Sequence, residues 1–293
     1  MKKAADFSRA KSDYQQLYIN KYFDLFKSQF KITGLEYQQL DYLIRRLWSD
    51  GSVWIRKDNV TGEPVLCKYS GLNYNCYGYP TQVTLMNQNN APTTMIPNTA
   101  QIVDKDGIIC WLRPNHKGIW FDICQYVDRM AEAQQAIDTN LYLQKFPWLI
   151  ITEPENKPQL EALVNRIMNG EPTVYMSGDV NSITNIKLDS PYIIDKLRAY
   201  QNELDNQIKT LLGIDNQGGN LNSQQQNLDT TNCNNDEIND TESAMVSTIK
   251  DGFDRANKLL GLALTIEATS KPVEQMSKSK DSGNFKHNEE EEK

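Results

Sequence analysis

A chain of 293 residues with 39% hydrophobic residues holds one large core or two small ones, which favours an elongated subunit of several modules. Its formal net charge is -7, no apolar run approaches the roughly 18 residues of a transmembrane helix, and the start MKKAADFSRAKSDYQQLYINKYF lacks the apolar centre of a signal peptide. The sequence therefore reads as a soluble cytosolic chain, and Cys67, Cys76, Cys110, Cys124 and Cys233, scattered with no CxxC pair, read as reduced thiols.

Apolar and aromatic residues at Leu17, Tyr18, Phe23, Phe26 and Phe30 predict a first helix. A second runs from about Leu35 to Trp48, before Asp50 and Gly51 stop it. A zone punctuated by Gly, Asn and Pro follows, with short strands expected at SVWIR, PVLCKY, QVTLM and GIICWL, a small β module. From Gly118 to Lys145, Trp120, Ile123, Val127, Met130, Gln134, Ile137 and Leu141 alternate spacings of three and four, a heptad seam with one polar interruption. Pro147 ends that helix. A compact αβ unit comes next: strand WLIIT, short helix PQLEALVNRIMNG, and strands TVYMS and ITNIKL.

The helix that follows has Ser190 as N-cap, Pro191 at its first position and Gly213 as its stop, with Ile194, Leu197, Leu204, Ile208 and Leu211 on one face. A helical hairpin carrying the αβ unit at its tip is the simplest geometry. This helix runs into a polar tract in which twelve of the residues from Asp215 to Asp240 are Asn or Gln and Gly218 and Gly219 are adjacent. Such a tract buries too little apolar surface to offset its ordering entropy, and a loop of that length is usually functional or disordered. A last helix, ESAMVSTIKDGFDRANKLLG, places Met245, Ile249, Phe253, Leu259 and Leu260 near one stripe, closes on Gly261 and leads to a strand LALTI.

Charge is uneven along the chain. Lys2, Lys3, Arg9, Lys11, Lys21, Lys27 and Lys31 face only three Asp within residues 1 to 31, whereas the end HNEEEEK is acidic. The plain reading of the basic end is the solvated face of an amphipathic helix, and of the acidic end a disordered, solubilising tail. Enzyme chemistry finds little to stand on. His116 and His287 are the only histidines, too few for a His-rich metal site or a triad. There is no Walker loop, and GIDNQGG is not a phosphate-binding GxGxxG after a strand. Carboxylate pairs such as Asp195 with Glu203, or Asp236 with Glu237, read as surface charges, and His116, between Pro114 and Lys117, as a loop residue.

The order of strand, helix, GEPTVYMSGD, ITNIKLDSPYIIDKL, LLGI, the polar tract with NNDEI, a helix ending KLLGL and then VEQM resembles the head-tail connectors of small Salas-type podophages, also called upper collar or portal proteins. The likeness is most specific from about Pro147 to Leu262, and order and length extend it over the chain. It implies an α+β, portal-type subunit: N-terminal helices and a β-rich wing at 1–117, stem helices at 118–145 and 190–213, a small αβ clip at 146–189, a channel loop at 214–240, a wing helix and strand at 241–267 and an acidic tail at 268–293. It also implies a dodecameric ring around a channel for double-stranded DNA, bound without sequence specificity, with no catalytic residue, metal, cofactor or membrane.

Lys187 and Lys196 match the family's lumen lysines. Gly218, Gly219, Asn220, Asn222, Gln224, Gln225, Gln226 and Asn227 fall in the channel loop, and Lys2, Lys3, Arg9 and Lys11 in the segment that meets the packaging machinery, which includes a packaging RNA in some members. Implied partners are the major capsid and scaffolding proteins, the packaging ATPase and the lower collar or tail protein. The implied location is the head-tail vertex of the virion, with the host cytoplasm during assembly. Two other classes stay open. A coiled-coil scaffold or adaptor explains the seam of 118–145, though such seams run on for more heptads and do not flank an αβ insert. A nucleic-acid-processing enzyme explains the charged ends but needs a carboxylate or His cluster.

Overall fold

The computed structural model describes residues 4–86, 99–145, 148–151, 158, 161–162, 165, 184–187, 191–214 and 228–269. Helix α1 (Ala4–Ser28) ends before strand β1 (Phe30–Thr33). Phe30 therefore leaves the first helix, where its spacing from Phe26 had put it. The backbone changes course because Gln29 is drawn elsewhere: its side chain donates to the Leu212 carbonyl at 2.9 Å, and its own carbonyl accepts from the Thr269 N–H at 2.8 Å. β1 then pairs antiparallel with β9 (Thr265–Ala268), Phe30 opposite Ala268. β9 begins three residues after the start of the expected strand LALTI.

Helix α2 (Tyr37–Asp50) is bounded by local chemistry at both ends. Glu36 and Gln39 form a reciprocal capping box, and Gly51, at φ 74°, turns its N–H onto the Arg46 and Leu47 carbonyls. A Cβ at Gly51 would strike the backbone of Lys117 and Gly118, so the position is glycine for two reasons.

Strands β2 (Ser52–Lys57), β3 (Pro64–Tyr74), β4 (Pro80–Met86) and β5 (Gln101–Ile102) form an antiparallel meander. β6 (Ile108–Trp111) returns to pair with the first of them, giving the order β5-β4-β3-β2-β6. The four strands expected in this zone are all present. β2 and β6 are buried on both faces, so they read as continuous apolar runs. Val53, Ile55, Ile108 and Cys110 enter the large helical core, while Trp54 and Ile109 join Cys67, Val83 and Leu85 in a smaller core inside the curled sheet.

Helix α3 (Trp120–Lys145) leads to β7 (Trp148–Ile151), which pairs antiparallel with β8 (Thr184–Lys187). Most of the expected short helix and the strand TVYMS lie outside the described residues. Helix α4 (Ile194–Leu212) starts later than the sequence suggested. Ser190 is outside the described residues, and Pro191 precedes the helix, its carbonyl accepting from Asn140 Nδ2 at 2.9 Å instead of opening a helical turn.

Gly213, at φ 75°, caps α4 with bonds to Lys209 and Thr210. A Cβ there would lie 2.8 Å from the Glu242 nitrogen, so Gly213→Ala combines backbone strain with a clash. The expected loss is about 2 kcal/mol, read by chemical denaturation; a variant as stable as the parent would refute this account.

Helix α5 (Leu228–Leu260) differs most from expectation. Its start lies well before Glu242, so residues 228–240 of the expected loop are helical. Ile238, buried, heads the stripe of Met245, Ile249, Phe253 and Ala256, and tertiary burial of that stripe overrides the poor helix propensity of the Asn-rich stretch. The fold is α+β, and the strand pairs of the sheets among the described residues are antiparallel. Among the described residues no helix is long and apolar enough to cross a membrane.

Candidate connector surfaces

Helices α3 and α4 pack as an antiparallel hairpin. Asn140 near the end of α3 bonds Pro191 ahead of α4, while Gln201 of α4 donates to the Met130 carbonyl and to Gln134, both at 3.2 Å. Gln134, the polar interruption of the seam, is thus paired across the hairpin and also donates to Asp138 at 3.1 Å. Ile123, Val127, Met130 and Ile137 are buried as the seam requires, whereas Trp120 and Leu141 at its ends are exposed. With 1.5 Å rise per residue, α3 is about 40 Å long.

The opposite face of α4 is left to solvent. Asp195, Lys196, Tyr200, Glu203 and Gln207 are exposed there, turned away from buried Ile194, Leu204, Ile208 and Leu212. Asp195 accepts from Tyr192 and Glu203 from Gln207, the surface roles the sequence suggested. Lys187 closes β8 opposite Trp148; its side chain lies outside the described residues. Lys187 and Lys196 therefore flank the start of α4. Gly218, Gly219, Asn220, Asn222, Gln224, Gln225, Gln226 and Asn227 are outside the described residues, as are Lys2, Lys3 and the side chain of Arg9.

The remaining basic residues of the N-terminal segment turn onto the fold. Lys11 pairs with Asp128 (3.0 Å) and Glu132 (3.7 Å) of α3, and its bond to Asp128 raises its pKa above the ordinary lysine value. Lys21 meets Asp205 of α4 at 2.6 Å, Lys27 meets Asp41 at 2.9 Å and Lys31 meets Glu267 at 3.5 Å. The basic excess read from the sequence is thus answered by carboxylates far away in the chain. The densest network centres on Asp205, which also accepts from Tyr22 (2.7 Å) and Lys209 (2.8 Å). Burial alone would raise the Asp205 carboxyl, but bonds from Lys209, Lys21 and Tyr22 outweigh it and hold it at about 2. The partner Tyr22 is pushed far above the tyrosine range, first by burial and then by its bond to that carboxylate. Sequence reasoning missed this network; the Asp205–Lys209 spacing of four was its only local trace.

Among the described residues, neither buried cysteine is activated. Burial pushes Cys67 up to about 11 and Cys110 up to about 12, leaving inert thiols. No group of three or more His, Cys, Asp or Glu residues among them is arranged to hold a metal ion. His116 does lie in a loop, at φ 60°, stacked on Trp111 with ring centroids 4.2 Å apart.

The family model described as Phage Connector (GP10) matches residues 3–273. The chain belongs to the phage connector family. It is a head-tail connector, as the resemblance in the sequence had implied. The connector is similar to chains in three solved structures. One is the portal and tail of native bacteriophage P68 (14% identity, 94% of this chain and 92% of that one, TM-score 0.48). Another is an HK97-family phage portal protein from Corynebacterium diphtheriae (9%, 91% and 94%, TM-score 0.43). The third is the neck of an empty gene transfer agent particle (11%, 92% and 87%, TM-score 0.41).

Proposed function

We propose that this connector assembles as a dodecameric ring at the head-tail vertex of the virion and serves as a conduit, not an enzyme, for double-stranded DNA during packaging and ejection. The observation that carries the reading is the exposed polar row on α4, on the side of the hairpin that its own fold leaves uncovered. Lys187 and Lys196 line the channel in this reading, two sparse basic rings in an otherwise acidic subunit. A conduit must not grip: each phosphate contact makes binding steeper in salt by about 0.9 log units per log of salt, so a lysine-rich wall would hold DNA fast. Negative-stain electron microscopy of the purified connector tests the ring directly. Closed rings with a central hole support it; monomers or rods count against it.

Lys187→Ala with Lys196→Ala is expected to alter DNA retention in filled heads while leaving ring assembly intact. Wild-type retention in the double variant would remove both lysines from the channel role. The segment from Gly218 to Asn227 acts in this proposal as the loop that restrains backward slippage, its amides giving weak, sequence-independent bonds to phosphate and sugar. Deleting residues 217–226 should leave rings whose heads lose DNA.

The partners are the major capsid and scaffolding proteins, the packaging ATPase and the lower collar or tail protein. Of the N-terminal contact residues, Lys2, Lys3 and Arg9 are the ones we assign to the packaging machinery or a packaging RNA. Lys11 would have to leave Asp128 first. Filter binding of RNA to a connector truncated before Lys11 decides this: unchanged binding removes the assignment.

A further inference from the structure

The five-stranded sheet has two edges, and the turn from Val103 to Gly107 brings them together. In the seam between them, roofed by α5, lies a cavity of about 640 Å³. One wall is aromatic. His116 lies nearly parallel to Trp111 (4.2 Å, 24°), and Tyr79 meets it edge-on at 5.2 Å. A non-glycine residue at φ 60° is held in an uncommon conformation to present that ring. The other wall is charged: Arg255 of α5 reaches Asp251 (3.1 Å) and Asp104 (3.5 Å).

Both edges are already closed to a further strand at this point. Arg255 Nη2 donates to the Ile109 carbonyl at 3.0 Å, and the Ile102 N–H donates to Asp106 at 2.8 Å. An occupant must then be recognised by its side surface and not by ladder hydrogen bonds. A polyproline-II segment has that property, having no internal hydrogen bonds and a ridged apolar surface that docks on aromatic rings. Charge narrows the choice further. The Asp104 and Asp251 side chains are 64% and 71% exposed against 39% for Arg255, so the mouth carries one more carboxylate than cation and favours a basic residue. Burial lowers the His116 pKa, so near neutral pH its ring offers a flat uncharged face.

We propose that this seam is a docking site for a proline-containing segment of a partner protein in the polyproline-II conformation, with an adjacent Arg or Lys held at Asp104 and Asp251. The site is built from the β module and α5, with no lining residue from α4, and stands independently of the channel reading.

The test uses the full connector and a fluorescein-labelled peptide with a PxxP core flanked by arginine, followed by anisotropy. Saturable binding is expected. It should weaken about tenfold or more in Tyr79→Ala, as for loss of a central aromatic contact, and several-fold in Asp104→Asn with Asp251→Asn. Tyr79 is exposed, so its variant keeps the fold, which circular dichroism checks. A peptide with Ala in place of Pro at unchanged charge should not bind. Absent binding overturns the proposal. So does binding that survives Tyr79→Ala, and so does equal binding of the Ala peptide, which would mark simple ionic adsorption.

Discussion

Trp48→Ala is expected to destabilise the connector by about 4 kcal/mol, within the range for emptying a large aromatic site in a core. Trp48 is nearly fully buried where α1, α2 and α3 meet. Its ring lies 5.1 Å from Phe26, 5.6 Å from Phe23 and 6.4 Å from Trp120, the last two edge-on, a geometry that adds to area burial. Its carbonyl also receives the Ile119 N–H at the entry to α3, so disorder at this point spreads to the start of the hairpin. A melting temperature lowered by roughly 10 °C or more is the expected readout. Trp120→Ala, at a ring left 39% exposed, supplies the comparison and should cost less than half as much. Equal effects of the two changes would mean that the aromatic cluster is not the anchor described here.

Asp205→Ala is expected to cost about 3 kcal/mol, the upper end for hydrogen bonds to a charged group, because it removes an acceptor from the half-buried Lys21 and Lys209 and from the buried Tyr22 together. The sign of the pH dependence follows from the carboxyl. Its folded pKa of about 2 lies below the ordinary 3.8, so the stability it lends is complete above pH 4. That stability is lost as pH falls toward 2, in total about 2 kcal/mol. Asp205→Ala should flatten this part of the stability profile, measured by denaturant titration at several pH values. A parallel loss in parent and variant would assign the acid sensitivity to other groups. Combining Asp205→Ala with Lys21→Ala should cost less than the sum of the single changes, since both act on one network.

Several elements were legible because their signals are local. The heptad spacing of α3, the Gly51 stop of α2 and the short apolar strands of the meander each follow from a few neighbouring residues. The hairpin of α3 and α4 followed from their order around the insert. What stayed hidden depends on distant partners. Phe30 carries the spacing of a helical residue, and only its pairing with Ala268 makes it a strand. Asn-rich residues 228–240 read as loop because polar side chains mask a stripe that Ile238 joins only when packed. Basic residues of α1 looked available until Asp128, Asp205 and Asp41 were brought to them. Of the residues proposed for the channel, Lys196 was legible as a solvent-facing position on α4, because the period of the helix puts it opposite Ile194 and Leu204.

The pairing of β1 with β9 governs when a subunit can exist during its own synthesis. Phe30–Thr33 emerges early from the ribosome, yet its partner, Thr265–Ala268, is made more than two hundred residues later. α5 is equally late, and it supplies Met245, Ile249 and Phe253 to the same core as Tyr22 and Phe26. A nascent chain is therefore an open half-core with an unpaired strand edge until translation passes residue 268. Interfaces that depend on the finished fold are withheld until then, so neighbours on one polysome meet as competent subunits only after β9 of each chain has been made.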